Sequence, residues 1–131
     1  MGPGFDDIEI GQVTHTDTFV LEPDCLAGFL ASFAPDWPIE RGAPDALTFA
    51  LWSRLAAPAL DGEGAKRLGV DALRWARNPP AGACLRGRIT VMGKDPVGEG
   101  KGIVIAQHDL LDDEGRLVFS CLTRSLHRRG A

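Results

Sequence analysis

Three carboxylates, Asp36, Glu40 and Asp45, fall close together in and just after Pro35-Asp36-Trp37-Pro38-Ile39-Glu40-Arg41-Gly42-Ala43-Pro44. Pro35, Pro38, Pro44 and Gly42 prevent a regular helix there, so an ordered surface loop is expected. Loops fixed between helices often carry function. Two carboxyl groups can divide acid and base work when burial and a neighbour's charge raise the pKa of one, and Asp36 with Glu40 is the pair so placed. The plainer reading has Asp36 opening the loop turn, Asp45 capping the next helix, and Glu40 and Arg41 solvated. Trp37 suits the rim of an apolar pocket, whereas Trp52 and Trp75 read as core.

Other reactive residues offer less. His15, His108 and His127 lie in expected strands or the tail, far from the loop in sequence. No spacing brings metal ligands together, so neither a metal nor a cofactor is expected. A meeting of His108 with Asp36 across the fold would bring an imidazole to the loop. Cys25, Cys84 and Cys121 form no CxxC pair and sit in apolar segments, where small buried thiols pack well. Gly98-Glu99-Gly100-Lys101-Gly102 faintly resembles a phosphate loop, but Gly rather than Ser or Thr follows the lysine, and a mobile hairpin is preferred. No nucleophile elbow is present, and no Ser or Cys is read as having a His partner, so nucleophilic catalysis has thin support.

Net charge is −4 and the basic residues are dispersed, except near Arg124, His127, Arg128 and Arg129, read as a solvated chain end. Nucleic-acid binding is not expected. No apolar run is long enough to cross a bilayer, and Met1-Gly2-Pro3-Gly4-Phe5-Asp6-Asp7 lacks the pattern of a secretory signal, so the protein is expected in the cytoplasm.

The elements that must hold the loop follow from periodicity. The 131 residues suit one domain, 1–131, with a core needing no staples. Gln12 to Leu21 alternates as a first strand. Pro23 and Asp24 open an amphipathic helix through Phe33, in which Cys25, Leu26, Phe29 and Leu30 recur at helical spacing. From Asp45 to about Pro58 nearly every face is apolar, so that helix must be wrapped by something. A loop opens at Asp61-Gly62-Glu63-Gly64. Beyond it, Val70 to Arg77, Cys84 to Gly93, Gly102 to Leu111 and Arg116 to Leu126 read as four strands of an antiparallel meander, joined through Lys94 to Lys101 and Asp112 to Gly115. The expected architecture is α+β: a curved antiparallel sheet closed around one central apolar helix.

In order and spacing these pieces resemble the MaoC-like dehydratases and (R)-specific enoyl-CoA hydratases of the hotdog superfamily, over essentially the whole chain. The opening Phe5-Asp6-Asp7-Ile8-Glu9-Ile10-Gly11-Gln12 is similar to the family's start. Leu73-Arg74-Trp75-Ala76-Arg77-Asn78-Pro79-Pro80-Ala81-Gly82-Ala83-Cys84-Leu85 looks like its strand, Pro-containing turn and new strand. Gly102-Ile103-Val104 and Asp113-Glu114-Gly115-Arg116-Leu117-Val118 match its last two strand starts.

The resemblance implies a hotdog fold and a homodimer whose sheets join edge to edge. It also implies an acyl-CoA or acyl carrier protein thioester bound between helix and sheet at the dimer interface. Family enzymes are lyases of fatty acid metabolism that add or remove water at an enoyl thioester, with an Asp and a His in the loop between the helices. An imidazole and a carboxylate on one water can take its proton and protonate the neighbouring carbon, while a helix N-terminus, here at Asp45 and Ala46, polarises the thioester carbonyl. Asp36 stands at the family's aspartate, with Pro35 replacing the Gly before it. Glu40 or Arg41 occupies the place of the His, and Ala43-Pro44-Asp45 replaces the usual Gly-rich turn with its second His. The departure leaves three expectations: a hydratase or dehydratase using Asp36 and Glu40, a non-catalytic thioester-binding or partner subunit, and a thioesterase needing only one carboxylate.

Overall fold

The computed structural model describes residues 4–60 and 64–129. Of the loop expected at Asp61-Gly62-Glu63-Gly64, Gly64 lies in a turn and the first three residues lie outside the described residues, as does the terminal Met1-Gly2-Pro3.

Strand β1 is Val13–Val20 and helix α1 is Pro23–Phe33, with Pro23 in its first turn beside Asp24. Pro there loses no helical hydrogen bond, and the acid meets the positive end of the helix dipole. Leu26 and Leu30 are buried, but Cys25 is exposed, contrary to the reading of all three thiols as buried. Cys25 and Leu26 are about 100° apart on a helix, so an apolar neighbour in sequence does not bury both. Cys84 is half-buried and Cys121 buried.

Helix α2 spans Asp45–Leu60 and lies on the sheet. Its buried side carries Leu47, Thr48, Leu51, Trp52, Leu55, Ala56 and Leu60, whereas Ala46, Ala50, Pro58 and Ala59 are exposed. The enclosure expected on every side is therefore incomplete within one chain. Small residues on the open side leave little apolar area there, at roughly 25 cal/mol per Å². The main core combines this helix with Leu21, Leu85, Leu110, Val118 and Phe119.

The remaining strands are β2 (Ala65–Trp75), β3 (Cys84–Val97), β4 (Lys101–Leu111) and β5 (Leu117–Arg128). All five form one antiparallel sheet in the order β1-β3-β4-β5-β2. Only β3, β4 and β5 form the expected meander; β2 pairs with β5 at the far edge instead of with β3. Period-two patterning marks a strand but does not name its partner. A hairpin needs a short turn, and the segment 76–83, with Pro79 and Pro80, crosses from one side of the sheet to the other. The β3–β4 turn contracts to residues 98–100, where Gly98 has φ +72. At the β4–β5 turn Asp112 Oδ1 accepts the amides of Glu114 and Arg116 at 3.0 and 2.9 Å.

The basic tail also differs from expectation. Arg124, His127 and Arg128 belong to β5, and His127 is buried. Arg129 reaches Asp6 at 3.3 Å, while Phe5, Ile8, Val91 and Val104 form a second apolar cluster that ties the N-terminal lead to the sheet.

Candidate functional site

The α1–α2 loop is built by short-range backbone bonds. Trp37 donates its amide to Ala34 O at 3.1 Å, and Ile39–Arg41 forms one 3-10 turn closed by Gly42 N to Ile39 O at 3.1 Å. Gly42 has φ +84, and a Cβ there would stand 2.6 Å from Asn78 O and 2.7 Å from Pro79 O. Only glycine allows both the left-handed backbone and this close approach.

That approach is a clasp between the loop and the crossing segment 76–83. Ala43 N donates to Pro79 O at 2.8 Å, and Asn78 Nδ2 donates to Ala43 O at 2.8 Å. At the end of β2, Trp75 Nε1 donates to Asp45 O at 3.0 Å. The start of α2 is thereby fixed against both the crossing segment and the far edge of the sheet. Its first-turn amides, which no preceding helical carbonyl can take, mark the positive end of the helix dipole. Asp45 is the first helical residue and not the residue before the helix, so its carboxylate stands in the first turn.

Trp37 is half-buried, with its Nε1 donating to Gly42 O at 2.9 Å and the Arg41 guanidinium 4.2 Å above its ring. The indole thus braces the loop, and Arg41 covers one of its faces. Asp36, Glu40, Asp45 and Ala46 are exposed in the single chain. The structure brings Asp36 and Glu40 onto one loop next to the α2 N-terminus, without the burial that an acid–base pair calls for.

No histidine joins them among the described residues. His15 lies exposed on β1. His108 sits on the helix-facing side of β4, 1% exposed, with Nε2 3.0 Å from Thr123 Oγ1 and its ring edge-on to Trp52 at 5.2 Å. Those contacts commit it to the core and not to Asp36. Burial lowers its pKa to about 4, with help from the nearby Arg67 charge and against the opposing pull of Asp109. His127 Nε2 lies 2.8 Å from Ser125 Oγ, and burial also lowers this imidazole's pKa. Ser125 and His127 therefore form the Ser–His contact that the sequence reading passed over. Burial pushes the Cys121 thiol up to about 12, so it is held as the neutral thiol.

His108, Thr123, Ser125 and His127 form a buried polar row beneath α2. Its signal was present as alternation: Val104, Ala106, His108 and Leu110 on β4, and Thr123, Ser125 and His127 on β5.

With this geometry the chain has the hotdog fold, and the solved structures it resembles include MaoC-like dehydratases and (R)-hydratases. A MaoC-like dehydratase from Rhodospirillum rubrum matches 99% of this chain and 100% of its own, at TM-score 0.86 and 22% identity. An (R)-hydratase from Pseudomonas aeruginosa in unliganded form matches 98% and 90%, at TM-score 0.73 and 20% identity. A Mycobacterium tuberculosis protein with a double hotdog fold matches 98% of this chain and 45% of its own, at TM-score 0.81 and 21% identity. No protein-family model and no curated protein matches the chain. No helix among the described residues is long and apolar enough to cross a membrane.

Proposed function

We propose that this chain binds acyl thioesters, of CoA or of acyl carrier protein, at the α1–α2 loop, and that Asp36 is the residue through which any hydration or dehydration would run. The carrying observation is the position of Asp36 in a loop that is clasped to segment 76–83 and runs into the start of α2, in a fold that matches a MaoC-like dehydratase over 99% of this chain and 100% of its own. The α2 N-terminus at Asp45 and Ala46 would polarise the thioester carbonyl, and Trp37 would form the pocket rim. Glu40 is the group available to share proton transfer with Asp36. A homodimer joined through sheet edges would supply the burial that the loop carboxylates lack in one chain.

A second reading, a thioester-binding or partner subunit without turnover, is favoured by one observation. Both buried imidazoles are engaged with hydroxyls under α2, and the third lies on β1. Crotonyl-CoA distinguishes the readings. Loss of enoyl absorbance, abolished by Asp36→Asn, supports the lyase; saturable binding without turnover supports the binder; release of free thiol supports a thioesterase. Neither binding nor turnover, with CoA or acyl carrier protein thioesters, ends the proposal.

A further inference from the structure

Arg41 is the single cation of the stretch 35–45, which also carries Asp36, Glu40 and Asp45. Its guanidinium makes no hydrogen bond or ion pair among the described residues, and what holds it is the Trp37 ring, whose centroid is 4.2 Å from its Cζ. That ring is itself fixed. Trp37 donates its amide to Ala34 O at 3.1 Å and its Nε1 to Gly42 O at 2.9 Å, while Arg41 donates its own amide to Pro38 O at 3.0 Å. The guanidinium is thus set over the residue that follows Asp36, with its charge unpaired.

This arrangement discriminates between acyl groups. An uncharged acyl chain passing Arg41 would strip water from the guanidinium and return no hydrogen bond. A carboxylate would return two, because the planar fork of donors matches it bidentately. The neighbouring carboxylates of Asp36, Glu40 and Asp45 repel an anion elsewhere on the loop, which leaves Arg41 as the place where one can sit.

We infer that Arg41 is a specificity-determining residue, and that the acyl group of the bound thioester carries a second carboxylate one or two carbons beyond those on which Asp36 would act. The inference rests on the thioester reading and adds to it the class of acyl group: a monothioester of a short dicarboxylic acid.

Succinyl-CoA and butyryl-CoA carry acyl groups of equal carbon count, differ in the terminal carboxylate and have no double bond to react, so calorimetric titration of the full chain with each reads binding alone. The same two acyl groups on acyl carrier protein make a second pair. The succinyl member of a pair is expected to bind at least about tenfold tighter than the butyryl member. Arg41→Gln should abolish that preference by weakening the succinyl ligand alone, and Arg41→Lys should restore part of it. Arg41 is exposed, so both variants should fold; if one does not, the wild-type preference decides alone. Equal binding of succinyl and butyryl ligands overturns the inference and leaves the thioester reading standing. An Arg41→Gln variant that loses both alike also overturns it, since the guanidinium would then serve the phosphates of the carrier. If no member of either pair binds, the thioester reading itself fails and the inference goes with it.

Discussion

At His108, burial beneath Trp52 works against the protonated ring and lowers its pKa from 6.5 to about 4. Between those values the unfolded chain holds a proton on this ring that the folded chain does not, so stability rises with pH across the window and is lost as pH falls from 6.5 towards 4. At about 1.36 kcal/mol per pKa unit, the loss reaches at most about 3 kcal/mol. Urea midpoints followed from pH 7.5 to pH 4 should show it, and His108→Asn should flatten the slope even if it lowers stability throughout. An unchanged slope in that variant would place the pH dependence elsewhere. Trp52 gives a second residue-scale prediction. Its Nε1 is buried with no hydrogen-bond partner among the described residues, a deficit of about 1–3 kcal/mol. Trp52→Phe removes that deficit and should destabilise less than Trp52→Ala, for which about 3–5 kcal/mol is expected by the same titration.

Among the elements, the clasp between the loop and segment 76–83 decides how firmly the α2 start is held. Gly42→Ala adds a Cβ where two carbonyl oxygens already stand and asks alanine to hold φ +84. A loss of about 2 kcal/mol or more is expected, with faster amide exchange at Ala43. If Asp36 and the α2 N-terminus act on a thioester, activity should fall with it. In β2 the register shifts between Asp71 and Arg74, and Ala72 sits there at φ +53. Ala72→Gly should relieve that strain and raise stability by up to about 1 kcal/mol, read as a higher urea midpoint.

Considered as one molecule, the sheet ends in two open edges, β1 and β2, and the open side of α2 carries small apolar residues. Unpaired strand edges are templates for association. A homodimer is the expected solution state, with a mass by light scattering of twice the 14.0 kDa chain. A monomer at micromolar concentration would remove the burial on which the proposed carboxylate chemistry depends.

Local pattern alone was enough to locate β1, α1, α2 and the strands from Cys84 onward, because alternation and helical spacing report which faces must leave water. It also located the Pro-rich loop with Asp36 and Glu40, since proline and glycine act on their own backbone. The tertiary structure alone decided that β2 lies beside β5, that His108 meets Thr123 and Trp52, and that Gly42 presses on Asn78 and Pro79. Each is a meeting of segments distant in sequence. Such meetings are fixed by the packing of the whole sheet against α2, which a single stretch of residues does not encode.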